Sequence, residues 1–184
     1  MNKVFGLINE FTPMRVEGTR TVVSYGKAEV DEEHATWLEV YLPNRQHPSI
    51  GLQEVKDAIV GDINARTEEQ ILSGFTWQDN EGEDVSVWLS VENQNNFSEA
   101  HRLALQAGAK KYTAVTQKIG EDADGNAKYR TFETLDDLDA FYRAAYAHIN
   151  QCREDGWAEK DGFDWSDYEA LFPTAETTEE STAS

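Results

Sequence analysis

Two β-rich stretches of this chain are interrupted by turns too short for any connection but a hairpin, and this constrains the fold more than any other feature. Phe75, Thr76 and Trp77 lead into Asp79-Asn80-Glu81-Gly82, after which Val85, Val87 and Leu89 alternate with Ser86, Trp88 and Ser90. That alternation has the period of two of a strand. Residues 112–119 and 128–132 flank Glu121-Asp122-Ala123-Asp124-Gly125-Asn126, whose Asp-Gly pair is a strong turn signal. Parallel strands need a crossover of a dozen or more residues, so both pairs are expected to be antiparallel.

Helices are expected between the hairpins. Leu52, Val55, Ile59 and Ile63 recur at three- and four-residue spacing and share one face, predicting a helix over 52–72 that stops at Gly74. Phe97, Ala100, Leu103 and Ala104 predict another over 96–107, with Gly108 as its stop. Leu135, Leu138, Tyr142, Ala145, Ile149 and Cys152 form a continuous stripe over 135–155. Thr134 is placed to cap that helix, and Gly156 to end it. The expected fold is α+β, with three main helices packed on short antiparallel hairpins and a β-rich N-terminal segment.

In that N-terminal segment, Val4, Phe5, Leu7 and Ile8, then 21–25, then Trp37, Leu38, Val40, Tyr41 and Leu42 are strand-like. His47-Pro48 marks a boundary, because the residue before proline avoids the helical region. The expected organisation is therefore 1–47 as a docking or oligomerisation segment and 48–172 as an α+β domain. A disordered acidic tail is expected over 173–184. With no helix to cover it, segment 1–47 is expected to expose strand edges that pair with a neighbouring protein or a second copy.

Charge narrows the function classes. The 184 residues carry 16 Lys and Arg against 35 Asp and Glu, a net charge of −19. Such a field repels phosphate, so direct nucleic-acid binding is not expected. No apolar run approaches the roughly 20 residues of a membrane span, and Met1–Glu10 lacks the pattern of a secretory leader. With one cysteine, Cys152, an internal disulfide framework is excluded.

The chemistry-bearing patterns are sparse. Asp122, Asp124, Asn126, Lys128 and Glu133 follow the spacing of a calcium loop, but Ala127 stands where glycine makes the sharp turn. A strand precedes the loop where that motif needs a helix, so a hairpin turn with solvated acids is expected and no metal. His34, His47, His101 and His148 lack ligand spacing. Cys152 falls on an apolar stripe, the place of a buried structural thiol. No nucleophile elbow, phosphate loop or dinucleotide fingerprint is present, so no catalytic residue and no cofactor are expected.

The segment 55–165 resembles a domain family of unknown function found in bacteriophage and prophage proteins, some of them associated with tail fibres. The resemblance is carried by Asp62-Ile63-Asn64 with Arg66, by Ile71-Leu72-Ser73-Gly74-Phe75-Thr76-Trp77 and by residues 87–96. Tyr129-Arg130-Thr131-Phe132-Glu133-Thr134 and Ala147-His148-Ile149-Asn150 look like the form seen in phages of gut anaerobes. It implies a non-enzymatic virion structural or assembly protein, tail- or decoration-associated, made in the host cytoplasm and bound to other phage structural proteins.

Two other classes compete. An acidic inhibitor or DNA mimic would exploit the charge. A glycan-binding module would exploit the five tryptophans, with Trp77 and Trp88 on opposite arms of one hairpin. The side chains expected to meet a partner are Val4, Phe5, Val22, Val23, Trp37, Leu38, Trp77 and Trp88.

Overall fold

The computed structural model describes residues 2–43, 50–79, 82–121 and 124–172. The fold is α+β, and every strand pair is antiparallel. The chain divides into two compact units, Met1–Ile63 with Lys160–Ser184, and Asn64–Glu159. This division falls inside two helices. The break expected after residue 47, like the turn residues Asn80, Glu81, Asp122 and Ala123 and the tail 173–184, lies at or within residues outside those described.

The first unit holds a four-stranded sheet in the order β1–β4–β3–β2, made of β1 (Asn2–Leu7), β2 (Met14–Glu17), β3 (Arg20–Glu29) and β4 (His34–Pro43). Three hairpin-linked strands with the remaining one beside the last give a Greek-key arrangement. Residues 21–25 of β3 are buried on both faces of the sheet. On one face Val23 and Tyr25 pack with Val55, Ile59 and Ile63 of α1 (Leu52–Leu72) and with Tyr168. On the other, Trp37 meets Phe11 edge to face at 5.9 Å.

A helix therefore does cover the N-terminal strands, which corrects the expectation of an uncovered segment. The periodic stripe of α1 is the cover. Tyr25 OH also donates to Asp62 of the same helix. From the C-terminal side, α4 (Ser166–Glu169) brings Tyr168, whose OH donates to the Ser24 carbonyl at 2.6 Å.

Burial, with a smaller contribution from Asp167, holds the Tyr168 phenol well above its ordinary range. Up to about pH 10 the folded and unfolded chains both keep the proton. Above that the unfolded chain ionises first, so stability falls as pH rises. Tyr168→Phe is expected to lose about 1 kcal/mol at neutral pH. It should also remove up to roughly 1.4 kcal/mol per pH unit from the alkaline slope, measured by urea unfolding between neutral and strongly alkaline pH.

The second unit contains β5 (Phe75–Gln78), β6 (Asp84–Val87), α2 (Val91–Ala107), β7 (Val115–Glu121), β8 (Ala127–Phe132) and most of α3 (Leu135–Asp161). Phe141 sits at the centre of its core, edge-to-face with Trp77 at 5.0 Å and Phe97 at 4.9 Å. Phe132 approaches the same ring at 4.8 Å. Ile119, Leu89 and Leu138 fill the remaining space.

Helix limits depart from the sequence pattern for local reasons. α2 starts five residues before the expected Asn96, because Ser90 caps it by accepting from Asn93 N at 3.2 Å. Thr134 caps α3 as expected, accepting from Asp137 N at 3.1 Å. Gly156 does not end α3. A Cβ there would lie 2.3 Å from Thr67 Oγ1, so the glycine permits a close approach between α1 and α3 within the second unit.

Candidate functional site

Burial settles which of the eight expected partner-facing residues have surface to offer. Val22, Val23, Trp37 and Trp77 are buried inside their own units and are corrected to core. Val4 and Leu38 are half-buried. Phe5 is 61% exposed at the β1 edge, stacked on His34 at 5.1 Å, and Trp88 is 42% exposed. With Trp77 in the core, the paired tryptophan platform needed to stack sugars is lost.

Polar clusters are well satisfied. In the first unit Glu39 is buried and accepts from Trp37 Nε1 at 3.1 Å, with Arg15 at 2.9 Å. Arg15 also donates to Ser24 Oγ and Glu17, tying the faces of β2, β3 and β4 together. This explains β2, which sequence reading missed. Its charged residues obscure the apolar pattern, yet they serve a buried carboxylate.

In the second unit Asp79 is buried against Arg130 at 3.1 Å and accepts from Glu83 N at 2.9 Å. The guanidinium lies over the Trp77 ring at 5.7 Å. The pair joins the two hairpins. Arg130→Ala leaves a buried carboxylate without its cation and is expected to lower stability by about 3 kcal/mol in urea unfolding. The double variant Arg130→Ala with Asp79→Ala should recover part of that loss.

Two histidine pairings invite a catalytic interpretation. His101 Nε2 lies 2.8 Å from Asp139 Oδ1 and stacks on Tyr142 at 4.1 Å. The Arg143 guanidinium, with His101, holds the Asp139 carboxyl below its usual range. Among the described residues no serine, threonine or cysteine is hydrogen-bonded to His101, so the nucleophile–base contact of a triad is not formed. His148 approaches Cys152 Sγ at 3.6 Å and stacks on Phe75. Burial pushes the Cys152 thiol up, opposite to the shift that activates a nucleophile.

The calcium-like spacing falls on the β7–β8 hairpin, with a strand before the loop as expected. Among the described residues no group of three or more His, Cys, Asp or Glu is placed to hold a metal ion. No helix among them is long and apolar enough to cross a membrane.

One feature with the geometry of a binding site is a groove of about 210 Å³ between α2 and α3. Leu89, Phe97, Ala145 and Ile149 form its apolar floor. Gln94, Asn95 and Ser98 line it from α2, and Tyr142, Tyr146 and Arg153 from α3. Residues 142, 146, 149 and 153 recur at spacings of four, three and four, so one helix face presents them all. Only part of that face, Tyr142 and Ile149, lay in the stripe read from sequence. The two exposed members, Tyr146 and Arg153, lie outside the apolar stripe that the sequence marks. A second groove, of about 380 Å³, runs beside Leu103, Ala104, Tyr112 and Val115.

No family model matches the chain, and neither a curated protein nor a solved structure matches it.

Proposed function

We propose that this chain is a non-enzymatic component of a bacteriophage particle or of its assembly, tail- or decoration-associated, acting by holding other phage structural proteins. The observation that carries the binding role is the α2–α3 groove, an apolar floor bordered by two tyrosines and an arginine. Tyrosine and arginine are the residue types that dominate binding energy at protein interfaces, and an apolar floor ringed by polar groups is the usual interface anatomy.

The phage setting rests on the resemblance of residues 55–165. The helix, Gly74-Phe75 and hairpin that carry the resemblance correspond to α1, β5 and β6. The exposed β1 edge, with Phe5 and Leu7 on it, offers a second contact surface, suited to strand addition by a neighbour or a second copy.

The acidic-inhibitor alternative makes the opposite genetic prediction. In-frame deletion of the gene from the phage or prophage is expected to leave host lysis intact while the yield of infectious particles collapses. Normal particle yield with a loss of fitness only on hosts carrying a particular target would support an inhibitor instead.

A further inference from the structure

One charge distinguishes this groove. Six of the described arginines, at positions 15, 20, 66, 102, 130 and 143, form ion pairs with carboxylates. Arg153 is the remaining described arginine, and it has no such partner. The described lysines at 3, 27, 110, 111 and 128 form no ion pair either, but Arg153 is the one basic residue lining this groove, and helix geometry explains why no acid on its own helix reaches it. Side chains three and four positions away on a helix are neighbours. Around Arg153 those positions are Ile149, Asn150, Gly156 and Trp157, none of them acidic. The guanidinium is therefore left exposed at one end of an apolar groove.

We propose that the α2–α3 groove takes an amphipathic helical segment of a partner protein, with apolar side chains on the floor and a carboxylate on Arg153. This rests on the protein-binding role proposed above and specifies the partner's chemistry. Tyr142 and Arg153 are eleven residues apart on α3, about 16 Å. That is three turns, long enough to hold a docked helix that presents two apolar anchors one turn apart and an acid a turn further on, which together span about two turns. The groove lies along the side of two helices with Tyr146 52% exposed at its rim. An extended segment fits such an open trough better than a small molecule, which needs enclosure on most sides. The net charge of −19 repels acidic proteins in general, so one acid among apolar or basic residues is the pattern that suits the site.

The test uses the full chain and fluorescein-labelled, alanine-based helical peptides of about 15 residues. They carry leucines at i and i+4, and a glutamate one turn beyond the pair at either end in two versions. Matched peptides replace the glutamate by glutamine or lysine. Fluorescence anisotropy is expected to rank the glutamate peptide at least about tenfold tighter than the lysine peptide. In Arg153→Glu that order should reverse, and in Arg153→Gln it should vanish. Amide shifts on binding should map to Leu89, Phe97, Tyr142 and Ile149.

Equal affinity for all three peptides, no binding of any at millimolar concentration, or shifts mapping elsewhere overturns the proposal. So do concentration-dependent shifts at these residues without peptide, because they would mean that a second copy fills the groove. Particle assembly is read separately by the gene deletion. A phage defect without peptide binding removes only this inference, whereas peptide binding without a phage defect removes only the virion role.

Discussion

Deleting residues 1–47 is expected to unfold what remains of the first unit while the second stays folded. The deletion removes the whole four-stranded sheet. It leaves Val55, Ile59 and Ile63 of α1 bare on the face that packed against Val23 and Tyr25. Fully burying each of these aliphatic side chains contributes roughly 1.5–3 kcal/mol, so the loss is roughly 5–9 kcal/mol. That rivals the entire stability of an ordinary domain. Tyr168 also loses the Ser24 carbonyl to which it donates.

The core of the second unit draws its buried residues from positions 71 to 152 and takes none from the deleted segment. Hydrogen exchange should show protection lost over 50–63 and 160–172 and retained over 64–159. The truncated protein should also bind a dye that reports exposed apolar surface. Full protection of α1 from its first turn would mean that the sheet is an appendage, as the uncovered-segment expectation had it.

Gly74→Ala is expected to destabilise the second unit by about 3–5 kcal/mol. Gly74 closes α1, donating to the Ile71 carbonyl at 3.1 Å with φ +81°. A Cβ added there would lie 2.0 Å from the Val87 carbonyl oxygen and 3.1 Å from Trp88 Cα. Both obstacles are backbone, so neither can rotate aside, and α1 and β6 must separate. Gly108 provides the control. Its φ is +72° and a Cβ there meets nothing within 4 Å. Gly108→Ala should therefore show only the conformational penalty of a φ +72°, ψ 160° backbone, about 1–3 kcal/mol. Urea unfolding of the two variants separates clash from strain. Equal losses would show that the approach to Val87 does not matter.

The contrast between these glycines shows what local sequence can and cannot reveal. Gly74 and Gly108 follow the last apolar residue of a helical stripe, so their role as stops is legible. Gly156 occupies the same kind of position, yet α3 runs through it to Asp161. Its role is set by Thr67, which is distant in the chain, and no nearby residue reports that contact. The hairpins were legible because a short turn leaves one way to pair.

The stripe on α1 was legible as a face, but what it faces was not. Periodicity marks a surface that must be buried without naming its partner, so the sequence does not tie this helix to the N-terminal sheet that it covers. β2 was hidden because Arg15 and Glu17 are read as solvated, whereas Arg15 serves the buried Glu39.

The groove was half legible. The absence of an acid three or four residues from Arg153 can be counted in the sequence. That this cation borders an apolar trough depends on α2 lying beside α3, which spacing within α3 cannot convey. The tryptophans misled for a related reason. Aromatic residues serve cores and interfaces alike, and Trp77 is committed to Phe141 and Phe132.

Whether this chain belongs to a phage particle or its assembly can be read by counting it. Particles purified by density gradient from the producing host, with the chain quantified by mass spectrometry against the major capsid protein, give its copy number. A fixed ratio that survives high-salt washing is expected, or the same fixed ratio in immature particles if the chain leaves on maturation. A chain abundant in the lysate but absent from particles at every stage would contradict it.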